Sequence, residues 1–255
     1  MTKPIRLSLG IPCYGAQEGK WWGQLAKNVA HLAKTVDLVS ILVADSMATD
    51  HNRNLIAEEF LKTDAEWLFW IDADTIVPQG GIERLLSTGK DFISGLYYAK
   101  HPPHNPIAYY NHLNAYKSID HEGRTWERGE IIEVDTCGMG CMLTHRSIFE
   151  AIKANYTVKQ EVGGGMIIVH NDDIKVGSVS EIGVTPTSIT RELIDPEIEV
   201  RYPFFALEHG RTEYIWFTEK AKRLGFKLFV DTSVECGHLY PRAFEGKDYR
   251  KIVGY

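Results

Sequence analysis

The sequence predicts an α/β fold, in which a mostly parallel β-sheet is covered by helices on both faces. Trp67–Ile71 is a run of five apolar residues rich in aromatics, which is typical of a strand buried on both faces. Strand-like and helix-like patterns alternate through residues 1–100, and such repeats imply right-handed crossovers between parallel strands. Hydrophobic residues make up 44% of the 255 residues, which is enough for a sizeable core.

The elements of the first half follow one another in a regular order. Short apolar runs predict its strands, and apolar residues spaced three and four apart predict its helices. Pro12 is expected to end the first strand. In chain order the predicted elements are a strand at 5–11, a helix at 22–35, a strand at 38–43, a helix at 52–62, a strand at 67–71, a short helix at 82–86 and a strand at 92–96.

The second half is less regular, although we expect one domain over residues 1–255. Residues 154–200 look like an insertion rich in β-hairpins, in which segments 166–169 and 174–179 flank the polar turn Asn171-Asp172-Asp173. The other predicted elements are strands at 106–110, 131–134, 141–143 and 226–230 and helices at 146–153 and 212–224.

Composition excludes several classes of protein. The formal net charge is -6 and no long basic block is present, so we expect no nucleic-acid partner. The four cysteines form no C-x-x-C pair, which favours a reducing compartment. No signal-peptide pattern and no apolar stretch of transmembrane length is present, so the expected location is the cytoplasm.

The pair Asp72 and Asp74 is the most informative feature of the sequence. It directly follows the apolar run at 67–71, at the end of a strand where α/β sheets place their ligands. Two carboxylates that converge on one point repel each other, and a hard divalent cation with oxygen ligands relieves that repulsion. The pattern therefore indicates a metal site that faces a negatively charged ligand, with an exposed Asp-rich turn as the alternative.

Several segments together resemble GT-A glycosyltransferases, in particular small stand-alone, family-2-like members from bacteria and bacteriophages. The likeness covers about residues 5–150 and 203–240, and it implies that residues 1–100 bind the nucleotide sugar and 101–255 the acceptor. The similar segments are Asn52-Arg53-Asn54, the run from Trp67 to Asp74, Gly95-Leu96-Tyr97-Tyr98, the run from Val134 to Leu143, the run from Glu213 to Phe226, and Cys236-Gly237-His238.

The resemblance implies transfer of a sugar from a nucleotide-diphosphate sugar, with a UDP-sugar expected, to an acceptor hydroxyl. A divalent ion would stabilise the charge that develops on the diphosphate leaving group. The implied metal ligands are Asp72, Asp74 and His238, and Asp72 also comes within reach of the ribose. An imidazole beside two carboxylates favours Mn²⁺, with Mg²⁺ as the alternative.

The resemblance also implies which residues bind the donor and which one acts as base. Pro12, Cys13 and Tyr14 are expected to wall the nucleotide base, and Asp45 to hydrogen-bond it. Relatives carry a Glu-Asp pair at the start of the last helix, where this chain has Glu213-Tyr214. The implied donor-binding residues are Pro12, Tyr14, Asp45, Arg53, Asn54, Asp72 and Asp74. The base is expected to be Glu213, with Glu208 and Asp135 as alternatives, and inversion or retention at the sugar stays open.

The acceptor and two other functions remain open at the level of sequence. An aromatic group is expected on the acceptor side, where rings stack on sugars: Tyr97, Tyr98, Tyr109, Tyr110 and Trp126. One alternative is a sugar-1-phosphate nucleotidyltransferase, but residues 11–16 lack a Gly-rich phosphate loop. The other is a protein that binds a carbohydrate or nucleotide sugar without turning it over.

Overall fold

The structure is a computed structural model that describes most of the first 160 residues and parts of the remainder. The helices are α1 (Gly19–Leu32), α2 (Thr49–Lys62), α3 (Gly81–Ser87), α4 (Arg146–Ala154) and α5 (Glu213–Arg223). The described residues are 4–14, 17–46, 48–113, 115–160, 166–170, 204–207 and 211–239, with only the backbone described for 156–160 and 166–170.

Fourteen strands connect these helices in the described part of the chain. They are β1 (Arg6–Cys13), β2 (Asp37–Asp45), β3 (Trp67–Ile71), β4 (Thr75–Ile76), β5 (Phe92–Leu96), β6 (Ala108–His112), β7 (Ala115–Ser118), β8 (Ile131–Val134), β9 (Thr136–Cys137), β10 (Cys141–His145), β11 (Tyr156–Gln160), β12 (Met166–His170), β13 (Leu228–Glu235) and β14 (Gly237–His238).

A seven-stranded sheet in the order β2-β1-β3-β10-β5-β13-β8 forms the centre of the fold. Strands β2, β1 and β3 are parallel to one another, and β13 is parallel to β5. Strand β10 lies between β3 and β5 and is antiparallel to both, while β8 is antiparallel to β13 at the edge. The mixed α/β class with a mostly parallel sheet, predicted from the sequence, is therefore confirmed.

Strand β1 extends beyond Pro12, so the prediction that Pro12 ends this strand was wrong. Its pairing with β3 stops at Gly10, whereas its pairing with β2 continues through Pro12 and Cys13. Beyond Gly10 the strand has a neighbour on one side only, and proline is tolerated at such an open edge because its missing N–H group is not needed there. Because β1 extends to Cys13, it reaches the edge of the sheet at which β3 ends.

Segment 166–169, predicted as one strand of a hairpin, is indeed a strand in the structure. Strand β12 pairs antiparallel with β11, from Tyr156 opposite His170 to Gln160 opposite Met166. Strand β11 directly follows α4 and was not predicted. Segment 174–179, the predicted partner, lies outside the described residues.

The hydrophobic core lies in two layers, one on each face of the large sheet. Phe69 and Trp70 follow one another in β3 and therefore point to opposite faces, and both are fully buried. Trp70 packs in the layer that includes residues of α2, α4 and α5, and Phe69 packs in the layer that includes residues of α1 and α3. A strand covered on both faces explains why the sequence 67–71 is apolar throughout.

The parallel strands and a small second sheet bring distant polar residues to one edge. The parallel strands β2, β1 and β3 are neighbours in this order, so Asp45, Cys13 and Asp72 lie in a row along their C-terminal edge. Strand β14 pairs antiparallel with β4, which places His238 opposite Thr75 and next to Asp74. In the described part of the chain, no helix has the length and apolar composition needed to span a bilayer.

Candidate active site

Asp72 is the first residue after β3, and three neighbours fix the loop that it begins. Its backbone N–H donates to the carbonyl of Gly140 at 3.2 Å, and Trp21 Nε1 donates to the carbonyl of Asp72 at 2.9 Å. A Cβ atom at Gly140 would lie 2.5 Å from Thr75 Oγ1 and 3.3 Å from a carboxylate oxygen of Asp72. Glycine is therefore required at position 140 because the loop approaches its backbone so closely.

Tyr97 supports this loop from below. Its hydroxyl accepts a hydrogen bond of 3.0 Å from the Gly140 N–H, and its side chain is buried. Burial, followed by the negative charge of Asp72, raises the pKa of Tyr97 well above its usual value, so the phenol is neutral. Tyr97 was expected among the aromatic residues that stack on a sugar, but in the structure it packs under the strand tip.

Asp72 belongs to a buried group of charges that includes Arg53 and Glu213. Arg53 is only 2% exposed and donates from Nη2 to Asp72 Oδ1 at 2.8 Å and from Nε to Glu213 Oε1 at 3.2 Å. Its guanidinium also lies 5.6 Å from the centre of the Trp70 ring. Arg53 therefore connects the tip of β3 to the first residue of α5.

The electrostatics of this group depend on burial. Loss of hydration is the largest influence and raises the pKa of Asp72; Arg53 opposes this, while Asp74 and Glu213 add to it. For Arg53, burial acts to lower the pKa, but Asp72 and Glu213 outweigh burial and the pKa is raised. Arg53 thus keeps its positive charge and compensates two carboxylates in a region of low dielectric.

Asp74 belongs to a second, more exposed group with Lys100 and His238. Lys100 Nζ forms an ion pair with Asp74 Oδ2, and His238 Nε2 lies 3.6 Å from Asp74 Oδ1. Partial burial acts to raise the pKa of Asp74, but the interactions with His238 and Lys100 outweigh it and lower this pKa to about 2. The Asp74 carboxylate is therefore ionised at neutral pH.

His238 is oriented by its second ring nitrogen. His238 Nδ1 lies 2.8 Å from the carbonyl oxygen of Tyr98. A carbonyl only accepts hydrogen bonds, so Nδ1 donates to it, and Nε2 is the ring nitrogen that faces Asp74. Metal-binding histidines are commonly fixed in this way by a carbonyl on the other nitrogen.

The predicted metal ligands are divided between the two groups. In the described residues, no three His, Cys, Asp or Glu side chains converge to form a metal site. Asp74 and His238 suit a divalent ion, because a carboxylate oxygen and an imidazole nitrogen lie side by side. The Asp72 carboxylate is instead directed toward Arg53. Ions such as Mg²⁺ are often held by one or two protein ligands, with phosphate oxygens and water completing the shell.

The other predicted donor-binding residues differ in how open they are. Tyr14 is 68% exposed directly after β1, Asp45 is exposed at the end of β2, and Pro12 is buried between them. The side chain of Asn54 is committed elsewhere. Its amide donates to the carbonyl of Phe205 at 2.8 Å and accepts from the N–H groups of Phe204 and Phe205 at 2.8 and 3.0 Å. Asn54 thus fixes residues 204 and 205 against α2.

The candidate bases are also separated by the structure. Glu213 is 8% exposed and reaches the strand tip through Arg53, whereas Glu208 lies outside the described residues. Asp135 forms an ion pair with Lys222 and accepts from the Asn111 N–H at 2.7 Å. It lines a cleft of about 310 Å³ with residues of α5 and of the β6–β7 hairpin. Of the predicted bases that the structure describes, Glu213 is the one linked to Asp72.

Lys100 and Gly140 contribute to the site but were not predicted as site residues, and Tyr97 was predicted only on the acceptor side. Lys100 follows β5, and the parallel direction of β5 and β3 brings its loop to the same edge as Asp74. A basic residue shortly after a predicted core strand was the signal in the sequence. It is a weak signal, because lysine is common in exposed loops.

Comparisons with known proteins bear on the fold. No family model and no curated protein matches this sequence. Among solved structures, A197 from STIV is similar with a TM-score of 0.51 and 16% identity, over 93% of this chain and 87% of that one. A crystal structure of GalNAc-T7 with UDP, GalNAc and Mn²⁺ aligns with a TM-score of 0.46 and 10% identity, over 94% of this chain but only 45% of that one. The chain is a mixed α/β protein whose fold is similar to that of A197.

Proposed function

We propose that this protein is a GT-A-type glycosyltransferase that moves a sugar from a nucleotide-diphosphate sugar to an acceptor hydroxyl. The observation that supports this most directly is the position of Asp74 and His238, side by side beyond the C-terminal end of β3 and adjacent to Asp72. Open α/β sheets bind ligands in this position. A carboxylate and an imidazole there suit a cation that accompanies a diphosphate.

The donor would lie along the edge formed by β2, β1 and β3. Tyr14 is exposed and is proposed to wall the nucleotide base together with Pro12, which is itself buried, and the exposed carboxylate of Asp45 is proposed to hydrogen-bond the base. Asp72 is proposed to contact the ribose, since it is the first residue of the loop next to this edge. A UDP-sugar is the proposed donor.

The proposed metal site consists of Asp74 and His238, with Asp72 nearby. A bound Mn²⁺ or Mg²⁺ would supply a Lewis acid that stabilises the charge developing on the departing diphosphate. The protein's own contribution is orientation. The Tyr98 carbonyl fixes the His238 ring, and the backbone N–H of Leu239 donates to the backbone carbonyl of Asp74 at 2.7 Å. Both ligands are thereby held before the donor arrives.

Glu213 is the proposed base that takes the proton of the acceptor hydroxyl. Arg53 Nε binds its Oε1, which leaves Oε2 to accept that proton. Tyr214, which replaces the aspartate found in relatives, carries no carboxylate and is not proposed as base. If the acceptor oxygen, deprotonated by Glu213, attacks the sugar carbon from the side opposite the leaving diphosphate, transfer inverts the configuration at that carbon.

One observation favours the alternative of a protein that binds the nucleotide sugar without turnover. The Asp74 carboxylate already has a cationic partner, because Lys100 pairs with one of its oxygens, and His238 Nε2 lies beside the other. A permanent Lys100 pair would neutralise Asp74 without any metal. In that case the protein would bind a nucleotide diphosphate in the presence of a chelator and release none from a nucleotide sugar.

The proposal is tested by incubating the protein with a panel of nucleotide sugars and Mn²⁺ and measuring release of the nucleoside diphosphate. We expect release from one class of donor, and loss of that release in Asp74→Asn. Asp91→Asn is the matched control, because Asp91 is exposed just before β5, away from the C-terminal ends of the parallel strands. Release of pyrophosphate from a nucleoside triphosphate and a sugar 1-phosphate would instead favour a nucleotidyltransferase.

A further inference from the structure

Lys100 forms an ion pair with the carboxylate of Asp74, which the proposed function assigns as a ligand of a metal ion. Its ammonium pairs with Asp74 Oδ2, on the oxygen that does not face His238. The side chains of Lys100 and Asp74 are 28% and 40% exposed, so solvent ions reach the pair. We propose that Lys100 is a built-in counter-ion of the cation site, which a divalent cation must displace and which then pairs with the donor diphosphate. This inference rests on the metal-binding part of the proposed function.

The structure indicates which member of the group moves. The backbone of Asp74 is fixed by a hydrogen bond from the Leu239 N–H to its backbone carbonyl. The His238 ring is fixed by the Tyr98 carbonyl and by the Tyr97 ring, with 5.4 Å between the centres of the two rings. Lys100 has a flexible four-carbon stem, and within the described part of the chain its ammonium hydrogen-bonds to Asp74 alone. Displacement therefore requires rotation of one partly exposed side chain and no movement of the ligands.

Charge makes the two occupants of Asp74 mutually exclusive. A divalent cation bound to Asp74 would lie within a few ångströms of the Lys100 ammonium, and like charges at that distance repel even near the protein surface. A cation alone must therefore break the Lys100 ion pair, and the released ammonium gains only water. When a diphosphate arrives together with the cation, the ammonium gains a phosphate partner.

It follows that cation and diphosphate bind cooperatively, and that Lys100 is a source of this coupling. The free protein would hold divalent ions weakly, and UDP would strengthen their binding by the same factor by which the ions strengthen the binding of UDP. Removing the ammonium should let the cation bind alone and should reduce the coupling. The site would thereby favour a cation that arrives with a diphosphate over a free cation.

The test is calorimetric titration of Mn²⁺ into the wild-type protein and Lys100→Gln, each with and without saturating UDP. Since a partly exposed ion pair is worth up to about 1 kcal/mol, we expect Lys100→Gln to bind Mn²⁺ alone about three- to fivefold more tightly. UDP should tighten Mn²⁺ binding by a smaller factor in Lys100→Gln than in wild type. Lys100→Arg, which keeps the charge, should resemble wild type, and so should Lys117→Gln, which removes an exposed lysine of β7.

Two results would overturn the inference. Equal Mn²⁺ affinity in wild type and Lys100→Gln would show that the ammonium does not compete with the cation, while the proposed transferase function would survive. Absence of Mn²⁺ binding in all variants would remove the cation site itself. A third outcome is that Lys100→Gln binds Mn²⁺ more tightly, that Asp74→Asn abolishes this binding, and that no sugar is transferred. That outcome would support the role of Lys100 as counter-ion and contradict the proposed function. The two failures are thus distinguishable.

Discussion

Arg53 and Glu213 lie 160 residues apart in the chain and meet in a buried ion pair of 3.2 Å. The same guanidinium binds Asp72 at 2.8 Å, so one side chain of α2 joins the end of β3 to the start of α5. Its third nitrogen, Nη1, is buried and has no hydrogen-bond partner among the residues that the structure describes. A charged group this deeply buried is stable only while both carboxylates stay in place.

We expect Arg53→Met to destabilise the fold strongly, because it leaves the buried Glu213 and the partly buried Asp72 without a compensating charge. Breaking a buried pair by removing one partner costs about 3–5 kcal/mol. The free energy of unfolding, measured by urea denaturation, checks this. Arg128→Met is the control, since Arg128 is exposed and its loss should be nearly neutral. A loss of less than about 1 kcal/mol in Arg53→Met would contradict the buried network.

Glu213→Gln separates a catalytic role from a structural one. As base, Glu213 acts only in the transition state, so the substitution should lower kcat for transfer by about 100-fold or more and leave donor affinity unchanged. If Glu213 is only an acid at the start of α5 that pairs with Arg53, the substitution should lower the free energy of unfolding and change activity little. Steady-state kinetics and urea denaturation on the same variant decide between these roles. Transfer at the normal rate would assign the base to another residue.

The ion pair of Asp74 predicts a pH dependence in the metal-free protein. The pKa of Asp74 is lowered from 3.8 to about 2, so it lies below the value in the unfolded chain. The stabilisation from this carboxylate is therefore complete above the unfolded pKa and is lost as the pH falls through the folded pKa. An NMR titration of the Asp74 carboxyl carbon should have its midpoint near 2, and Lys100→Gln should raise that midpoint. An unchanged midpoint in the variant would show that Lys100 does not pair with Asp74 in solution.

His238→Ala should weaken metal binding more than it weakens the fold. It removes Nε2 beside Asp74 and leaves the Tyr98 carbonyl without its donor, which costs about 1–3 kcal/mol of stability. We expect the Mn²⁺ concentration for half-maximal transfer to rise about tenfold or more. His121→Ala, which changes an exposed histidine, is the control. An unmoved Mn²⁺ dependence in His238→Ala would leave His238 as a purely structural residue.

Much of the sheet was predictable because its signals are local. Strands 67–71, 92–96 and 131–134 have the predicted bounds, since each is a short segment in which apolar residues predominate. The antiparallel insertion of β10 between β3 and β5 was not predictable from an alternation of strands and helices, because that pattern indicates only parallel neighbours. Pairing across the sheet depends on contacts distant in sequence.

The site shows the same division between local and distant signals. The pair Asp72 and Asp74 stands out in the sequence because both residues directly follow a buried strand. The sequence does not show that the two side chains are directed to different partners, Asp72 to Arg53 and Asp74 to Lys100. Those partners come from α2 and from the loop after β5, which are distant in sequence. Asn54 was expected near the nucleotide, yet its amide is used to hold Phe204 and Phe205, which no local pattern in α2 indicates.

The proposed function has Asp74 and His238 bind a divalent cation that carries a nucleoside diphosphate. Its most direct test is calorimetric titration of UDP into the wild-type protein with Mn²⁺ and with a chelator, and into Asp74→Asn with Mn²⁺. We predict that UDP binds to the wild-type protein in Mn²⁺, that the chelator weakens this binding at least about tenfold, and that Asp74→Asn weakens it to the same extent. Equal UDP affinity under all three conditions would contradict the claim.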